Sequence, residues 1–224
     1  TLNSWLDFGD LTVAALYWSG LSSPTRGLTL VADDPASQVI NMVTIASKGD
    51  AVDFGNQSKT GGYQSAAANS VRGLWAGGYA TSPRTSDAFS RSIEAITIAS
   101  QGTSQEFGDL INTPMYGDGS STSTRAIFAG GVEQGVSQYN IIDFVTIATT
   151  GNAQDFGDML ESGNTTASGS SSTRGIYAGG GENGNSNTIS FITIATKGNA
   201  ENFGDLTQEM GNGSGTSSQV RFVR

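Results

Sequence analysis

The sequence predicts an all-β protein built from tandem units of similar length. Gly, Ser, Thr and Asn are abundant among its 224 residues, only 4 residues are proline, and β-branched residues cluster in short runs. No segment keeps the apolar period of about 3.6 residues that marks an amphipathic helix. The dipeptide Phe-Gly recurs at intervals of 46, 53, 49 and 47 residues. Its five copies are Phe8-Gly9, Phe54-Gly55, Phe107-Gly108, Phe156-Gly157 and Phe203-Gly204.

An arginine keeps the same phase as Phe-Gly, with the same four intervals. Its copies are Arg26, Arg72, Arg125, Arg174 and Arg221. Two markers in identical phase across five copies identify a repeat protein. Three copies also carry Ala-Gly-Gly after the arginine, and four copies carry an apolar run of the type VTIAS, first seen at residues 43–47.

One unit reads as four short strands, a to d. In the last complete unit these are a Ser/Gly-rich strand a (164–172), strand b (174–180), strand c (188–196) and strand d (199–206). Strand c is apolar on both sides at its centre, as is typical of a strand between packed sheets. The Gly-Gly pair after strand b predicts a tight exit with positive φ. Four strands in about 49 residues is the period of a β-propeller blade.

The run RGIYAGG (174–180) and the apolar strand after it resemble the kelch pattern of four apolar residues, Gly-Gly and a third strand. Phe156 and its equivalents stand where kelch blades usually carry tryptophan. The whole stretch from TRGIYAGG to ENFGDL (173–206) resembles kelch-like repeats in structural and tail-fibre proteins of marine bacteriophages, particularly cyanophages. This resemblance covers nearly the whole chain and implies a propeller in a virion. The first unit departs from it, because LTLVADD (28–34) lacks Gly-Gly and Asn56 replaces the aspartate after Phe-Gly.

The phase of the markers predicts a five-bladed kelch-like β-propeller that forms a single domain over residues 1–224. The expected four-stranded units are 12–57, 58–110, 111–159 and 160–206, and a closing blade combines 1–11 with 207–224. The two termini would then share one blade, which buries the strand edges of the ring. This blade lacks its own strand c, because there is no fifth VTIAS-type run. Either the blade is short, or another chain supplies the strand, or the sequence belongs to a longer polypeptide that was processed or trimmed.

Composition excludes several functional classes. The chain has no cysteine and no histidine, which excludes disulfides, Cys/His zinc sites, Ser-His-Asp triads and histidine-ligated copper or iron. A net charge of -9 argues against nucleic acid as a partner. No apolar run approaches the roughly 20 residues that span a membrane, so membrane insertion is not expected.

Asp155-Phe156-Gly157 matches the triplet that holds magnesium in protein kinases. A kinase also needs a Gly-rich loop, a strand lysine and a histidine-containing catalytic loop, and this chain has no histidine. Five copies at blade spacing favour a structural role instead. We expect a core phenylalanine, a glycine that permits a bend, and a following aspartate that caps a turn.

The arginines raise the alternative of a carboxylate clamp, as in sialidase propellers. Their equivalent positions favour a structural ring, in which each arginine pairs with an aspartate of its own or a neighbouring blade. The candidate aspartates are Asp10, Asp109, Asp158 and Asp205. Calcium is not expected, because no D-x-D-x-D-G loop occurs, and 31–37 and 181–185 are interpreted as ordinary turns. No metal or other cofactor is predicted.

Function in a propeller is expected where the repeats differ, because the blades share the scaffold. The loops between strands b and c vary most, at 32–38, 79–92, 132–140 and 181–187. An aromatic ring beside a guanidinium and a carboxylate suits a sugar, although the same loops also suit plain solvent exposure. The candidate ligand-binding residues are Tyr79, Arg84, Asp87, Phe89 and Tyr139. Tyr63 and Tyr116, between strands d and a, serve equally well to cover the edge of the core.

These patterns favour a non-enzymatic virion structural or host-recognition module. Its expected partners are other virion or surface proteins, a host cell-surface glycan and further copies of the chain, which act together by multivalent contact. The expected location is the virion, with an extracellular location as the alternative. A secreted or cell-surface lectin with one or two sugar pockets is the second hypothesis. An enzyme and an intracellular kelch adaptor are weaker, since no convergent pair of acids and no BTB or BACK segment is visible.

Overall fold

The computed structural model of the chain describes residues 6–13, 16–32, 38–59, 61–78, 89–115, 117–133, 137–164, 167–181 and 185–211. All regular elements in these ranges are β-strands. A helix with the length and apolar character to cross a membrane does not occur in them. The all-β class predicted from the sequence is therefore confirmed.

Sixteen of the strands form four antiparallel sheets of four strands each. Blade 1 contains β1 (Leu16–Ser22), β2 (Arg26–Ala32), β3 (Val39–Thr44) and β4 (Val52–Asn56). Blade 2 contains β5 (Ser65–Ala68), β6 (Arg72–Ala76), β7 (Ser92–Thr97) and β8 (Gln105–Asp109). Blade 3 contains β9 (Asp118–Ser121), β10 (Arg125–Ala129), β13 (Ile141–Thr146) and β14 (Gln154–Asp158), and blade 4 contains β15 (Ala167–Ser170), β16 (Arg174–Ala178), β17 (Ser186–Thr193) and β18 (Glu201–Met210). Within each blade the strands lie side by side in chain order, which is the predicted order a-b-c-d.

The strands a of successive blades contact one another along the inner side of the assembly. They are rich in Ser, Ala and Gly because their backbones approach closely. A Cβ on Gly119 of blade 3 would collide with the carbonyl oxygen of Ala66 in blade 2. The Oγ of Ser121 donates to the Ala68 carbonyl at 2.6 Å, and the Oγ of Ser168 donates to the Gly119 carbonyl at 2.7 Å. Small side chains with a donor thus replace the ladder hydrogen bonds that these inner edges lack.

The phenylalanine of each Phe-Gly pair in the four sheets lies in a β-bulge. In blade 3 Ile142 pairs with Gly157 and Asp143 pairs with Asp155, so Phe156 has no partner across the sheet. The same register shift occurs at Phe54, Phe107 and Phe203. A bulge turns the side chain out of the regular alternation of the strand. This rotation directs Phe54, Phe107 and Phe156 into the space between two blades, where each is at most 3% exposed.

Three apolar clusters hold the four blades together, one at each junction. Phe54 packs with Trp75 and Ile96 between blades 1 and 2. Phe107 packs with Phe128 between blades 2 and 3. The third junction contains Phe156 with Phe144, Tyr177 and Ile192. Burying one such aromatic side chain contributes about 1.5–3 kcal/mol, so these junctions are the main source of stability.

Backbone hydrogen bonds join the same junctions in a fixed pattern. At four of the five Phe-Gly pairs the phenylalanine carbonyl accepts the N–H of a glycine in the c–d loop of the next blade. These bonds are Gly49 to Phe8 (2.9 Å), Gly102 to Phe54 (3.1 Å), Gly151 to Phe107 (2.8 Å) and Gly198 to Phe156 (2.9 Å). A second bond two residues later repeats as well, from Ala51 to Asp10 (2.8 Å), Ser104 to Asn56 (2.9 Å), Ala153 to Asp109 (2.8 Å) and Ala200 to Asp158 (2.8 Å).

The N-terminal segment 6–11 makes this pattern although no strand is assigned to it. It contacts blade 1 as strand d of each blade contacts the next blade. At the two ends of the series the phenylalanines of the Phe-Gly pairs are exposed: Phe8 by 40% and Phe203 by 54%. A Cβ on Gly204 would meet nothing within 4 Å, whereas one on Gly157 would collide with the Gly198 carbonyl. The outer side of blade 4 is therefore open among the described residues.

Candidate functional site

The antiparallel order of the strands places the connections at two opposite ends of each blade. The a–b turns and the c–d loops lie at one end, which we call the turn face. The b–c loops and the d–a segments lie at the other end, which we call the loop face. The described residues at which the variable b–c loops begin and end therefore lie on one face of the assembly. The scaffold thus presents the differing residues together and keeps the repeated ones between blades.

The Gly-Gly pairs anchor the start of the b–c loops. Gly77 and Gly78 have φ values of 73° and 78°, and Gly130 and Gly131 have 65° and 104°, so the positive φ predicted from the sequence is confirmed. Their conformation lets the neighbouring d–a segment approach the backbone. Gly78 N donates to the Pro114 carbonyl at 2.8 Å, Gly131 N to Gly163 at 2.8 Å and Gly180 N to Met210 at 2.8 Å. The loops consequently begin from a rigid backbone edge.

Tyr139 lies at the end of the b–c loop of blade 3, next to a short hairpin of β11 (Val132–Glu133) and β12 (Ser137–Gln138). Its hydroxyl donates to Glu133 Oε2 at 2.5 Å, and its N–H donates to the Gly131 carbonyl at 2.9 Å. Burial raises the pKa of this hydroxyl, and the bond to Glu133 raises it further. The hydroxyl thus ties Tyr139 to Glu133 in the neighbouring strand β11, which fixes the position of the half-buried ring.

Phe89 is half-buried at the end of the b–c loop of blade 2. The next residue, Ser90, donates its N–H to the Gly78 carbonyl at 2.9 Å, which fixes this end of the loop. Phe89 and Tyr139 share the loop face but belong to neighbouring blades. The predicted residues Tyr79, Arg84 and Asp87 lie outside the described residues, as do Tyr116 and Arg221. Tyr63 is half-buried, with a φ of 59°.

The repeated arginines bind backbone carbonyls of the next blade. Arg26 Nη1 donates to Ile98 O at 2.8 Å, Arg72 Nη1 to Ile147 O at 2.8 Å, and Arg125 Nη1 to Ile194 O at 2.7 Å. The expected pairing with Asp10, Asp109, Asp158 or Asp205 is wrong, since the ion pair found among the described residues is Lys59–Glu106. A guanidinium beside a loop of exposed carbonyls gains charge-assisted hydrogen bonds without desolvating a carboxylate.

The aspartate that follows Phe-Gly binds the next blade through its backbone. Asp109 and Asp158 donate their backbone N–H to the side-chain oxygens of Asn152 and Asn199, both at 3.1 Å. The aspartate that precedes the phenylalanine caps the glycine instead, as Asp53 Oδ1 accepts from Gly55 N at 2.9 Å. The whole Asp-Phe-Gly triplet is thus engaged in backbone contacts.

A polar position in the middle of strand c was not predicted from the sequence. Three residues before the threonine of each VTIAS-type run there is a buried polar side chain: Asn41, Glu94, Asp143 and Ser190. The first three accept the N–H of the d–a segment that arrives from the preceding blade. The donors are Thr12 to Asn41 (3.0 Å), Ser58 to Glu94 (3.2 Å) and Ile111 to Asp143 (3.2 Å). The signal was available, because every copy has a polar residue inside an otherwise apolar strand.

Asp143 borders a small cavity of about 10 Å³ with Asn112, Pro114 and Tyr139, which is space for about one water molecule. Asp143 Oδ1 and Asn112 Nδ2 have no hydrogen-bond partner in the protein. Burial raises the pKa of Asp143 to about 6; the bond from Ile111 N lowers it, and the charge of Asp155 raises it. The cavity is too small for a substrate, so Asp143 is a buried anchor on the loop face.

Metal chemistry gains no support from the described residues. They contain no group of three Asp or Glu side chains that could hold a metal ion. Of the buried carboxylates, Glu94 accepts the hydroxyls of Ser58 and Ser104, both at 2.6 Å. Its oxygens are therefore engaged by Ser58 of the d–a segment and by Ser104, which directly precedes strand d of the same blade.

No protein-family model matches the chain, and no curated protein sequence is similar to it. Among solved structures the chain is similar to YjhT, a kelch-type β-propeller, with a TM-score of 0.71 at 8% sequence identity. The similarity covers 88% of this chain and 67% of YjhT. At this identity the similarity concerns the fold alone. Together with the four four-stranded sheets, it identifies a β-propeller type of architecture.

Proposed function

We propose that the chain is a non-enzymatic recognition module of a virion, which presents variable loops on one face of a five-bladed propeller. The observation that carries this proposal is that the repeated residues and the variable residues lie in different parts of the fold. Repeated phenylalanines, arginines and glycines are engaged between blades, whereas the b–c loops that differ between blades share the loop face. Such a scaffold keeps its shape while its loops change.

The ring is proposed to close through a fifth blade. Segment 6–11 supplies its strand d, because this segment already makes the junction hydrogen bonds to blade 1. Residues 217–224 would supply strands a and b, with Arg221 in phase, and strand c is the missing strand. The open side of blade 4, with Phe203 and Gly204, is the surface that this blade would cover.

The virion assignment rests on the resemblance of the repeats to those of marine phage structural and tail-fibre proteins. The partners in this proposal are other virion proteins and a glycan on the host surface, with an extracellular surface as the alternative location. Several copies on one particle would convert weak single contacts into firm attachment. Catalysis is not part of the proposal, because the buried carboxylates Glu94 and Asp143 accept backbone N–H groups.

The test compares binding of the full chain to a glycan array and to host cells. The double variant Tyr79→Ala/Arg84→Ala removes an aromatic ring and a cation from the longest loop, and Lys48→Ala removes an exposed cation from the turn face as the control. We expect the double variant to lose at least tenfold in binding and the control to retain it. Unchanged binding by the double variant, or no binding by the parent chain, would refute the loop-face proposal.

A further inference from the structure

The four blades differ at one position of strand c that faces the next blade. Two residues before the threonine of each VTIAS-type run, blade 1 has Met42, blade 2 has Ala95, and blades 3 and 4 have Phe144 and Phe191. This position lies beside the repeated arginine of the same blade, near the turn face. Of these four blades, only blade 2 lacks a large side chain at this position.

In blades 3 and 4 the aromatic ring completes a stack. The guanidinium carbon of Arg125 lies 5.1 Å from the centre of the Phe144 ring, and that of Arg174 lies 4.5 Å from the Phe191 ring. Each ring also meets the bulge phenylalanine of its blade edge-on, at 5.9 Å for Phe144 and Phe156. The ring thus fills the space between a cation and the apolar junction.

In blade 2 the arginine is held in the same way, but the ring is missing. Arg72 Nη1 donates to Ile147 O at 2.8 Å, which matches the 2.7 Å bond from Arg125 to Ile194 O. Ala95 leaves an open cavity of about 360 Å³ beside this guanidinium. Its walls include Arg72, Ala95, Gln101, Gln105, Glu106 and Thr150. This volume falls within the range of about 300–1,000 Å³ that is usual for small-molecule sites.

We propose that this cavity is a binding site for a phenol, an aromatic ring that carries a hydroxyl group. The ring would take the place that Phe144 occupies in the next blade, with its π face against the Arg72 guanidinium. The hydroxyl would donate to the carboxylate of Glu106 or to a side-chain amide of Gln101 or Gln105 at the rim. The phenol has two sources, the side chain of a partner's tyrosine and a free small molecule.

The lining of the cavity disfavours other ligand classes. The described residues that line it include no aromatic side chain, so a sugar would have no ring among them on which to stack. Arg72 is the one cation among the lining residues of this cavity, and an anion beside it would also lie near the Glu106 carboxylate, which already pairs with Lys59. The site is on the turn face and does not depend on the loops in the proposed function.

The test is a titration of the full chain with p-cresol and with N-acetyl-tyrosinamide, followed by protein NMR. Saturable shifts at Ala95 and Gln105 are expected with at least one probe. Tyrosinamide binding as tight as that of p-cresol indicates a partner's tyrosine, and binding of p-cresol alone indicates a free phenol. The absence of saturable shifts with both probes would overturn the proposal.

The decisive variant is Ala95→Phe, which fills the cavity as Phe144 fills its equivalent. We expect it to weaken phenol binding at least tenfold and to raise the unfolding temperature. Met42→Phe changes the same position in blade 1 and should leave phenol binding unchanged. If Ala95→Phe does not fold, Ala95→Leu provides the same test with a smaller side chain. Undiminished binding by the folded filling variant would show that the ring does not enter this cavity.

Discussion

The glycine of the Phe-Gly pair provides a sharp test of how neighbouring blades fit together. Gly157 has a φ of 150°, and a Cβ at this residue would collide with the carbonyl oxygen of Gly198 in the next blade. Gly198 has a φ of 154°, but a Cβ on it would meet no atom within 4 Å. Substituting either glycine by alanine therefore strains the backbone in the same way. Only the substitution at Gly157 also causes a collision with the next blade.

The expected costs follow from these two terms. Placing a residue other than glycine in this region of φ costs about 1–3 kcal/mol, which applies to Gly157→Ala and Gly198→Ala alike. Overpacking at a contact costs a further 1–3 kcal/mol or so, and this term applies to Gly157→Ala alone. The Gly198 carbonyl cannot turn aside as a side chain would, because the N–H groups of Gly198 and Ala200 donate to the Phe156 and Asp158 carbonyls and fix the backbone around it. The difference between the variants should therefore be about 1–3 kcal/mol.

The assay is thermal unfolding followed by circular dichroism and calorimetry. For a chain of 224 residues, 1 kcal/mol corresponds to about 2–4 °C. Gly157→Ala should therefore unfold about 2–12 °C below Gly198→Ala. Equal unfolding temperatures would show that backbone strain alone selects glycine, and the close approach of the blades would then not explain the repeat.

Three further predictions concern the open end, a buried acid and an arginine. Gly204→Ala should destabilise the chain as much as Gly157→Ala does if a fifth blade covers it; a loss as small as that of Gly198→Ala would refute closure of the ring. Because the folded state raises the pKa of Asp143 from 3.8 to about 6, the folded state binds its proton more tightly. The resulting stabilisation of the folded state is complete below pH 3.8. It is lost as the pH rises through 6, which lowers the free energy of unfolding by up to about 3 kcal/mol. Urea unfolding at pH 4 and pH 7.5 measures this loss, and Asp143→Asn should remove it. A variant that loses as much stability between the two pH values as the parent chain would contradict this prediction. Arg125→Ala should cost about 1.5–3 kcal/mol, since it removes hydrogen bonds to the Ile194 and Ala195 carbonyls. Arg174→Ala, which removes a stack on Phe191, should cost about 0.5–1 kcal/mol, and equal costs would refute a role at the junction.

Several features of the candidate site were readable from the sequence. The placement of the b–c loops at one end of each blade follows from the predicted strand order a-b-c-d, because antiparallel strands in a known order fix which connections share a face. The positive φ of Gly77 and Gly78 follows from the lack of a Cβ where the chain turns sharply. Asn41, Glu94, Asp143 and Ser190 were missed because the apolar residues around them dominate the pattern of strand c.

The partners of the repeated arginines show why the other contacts could not be predicted from the sequence. Arg72 and Arg125 bind carbonyl oxygens, and a carbonyl belongs to every residue, so no sequence pattern marks it as a partner. An aspartate nearby in the sequence was a more visible candidate, but it lies elsewhere in the fold. The site beside Ala95 required the structure for a related reason, since an alanine in a strand reveals a cavity only when the neighbouring blade is in place.

The sequence by itself determined the all-β class, the repeat and the order of four strands in each unit. These features depend on local conformation and on periodicity, and both follow directly from the order of residues in the sequence. The tertiary structure decided what each repeated residue contacts: a bulge that directs Phe156 between blades, a carbonyl that excludes a Cβ from Gly157, and a junction that leaves Arg72 without a ring. These contacts join residues that are about 40 to 75 positions apart, and the geometry of packing, which no single segment encodes, brings them together.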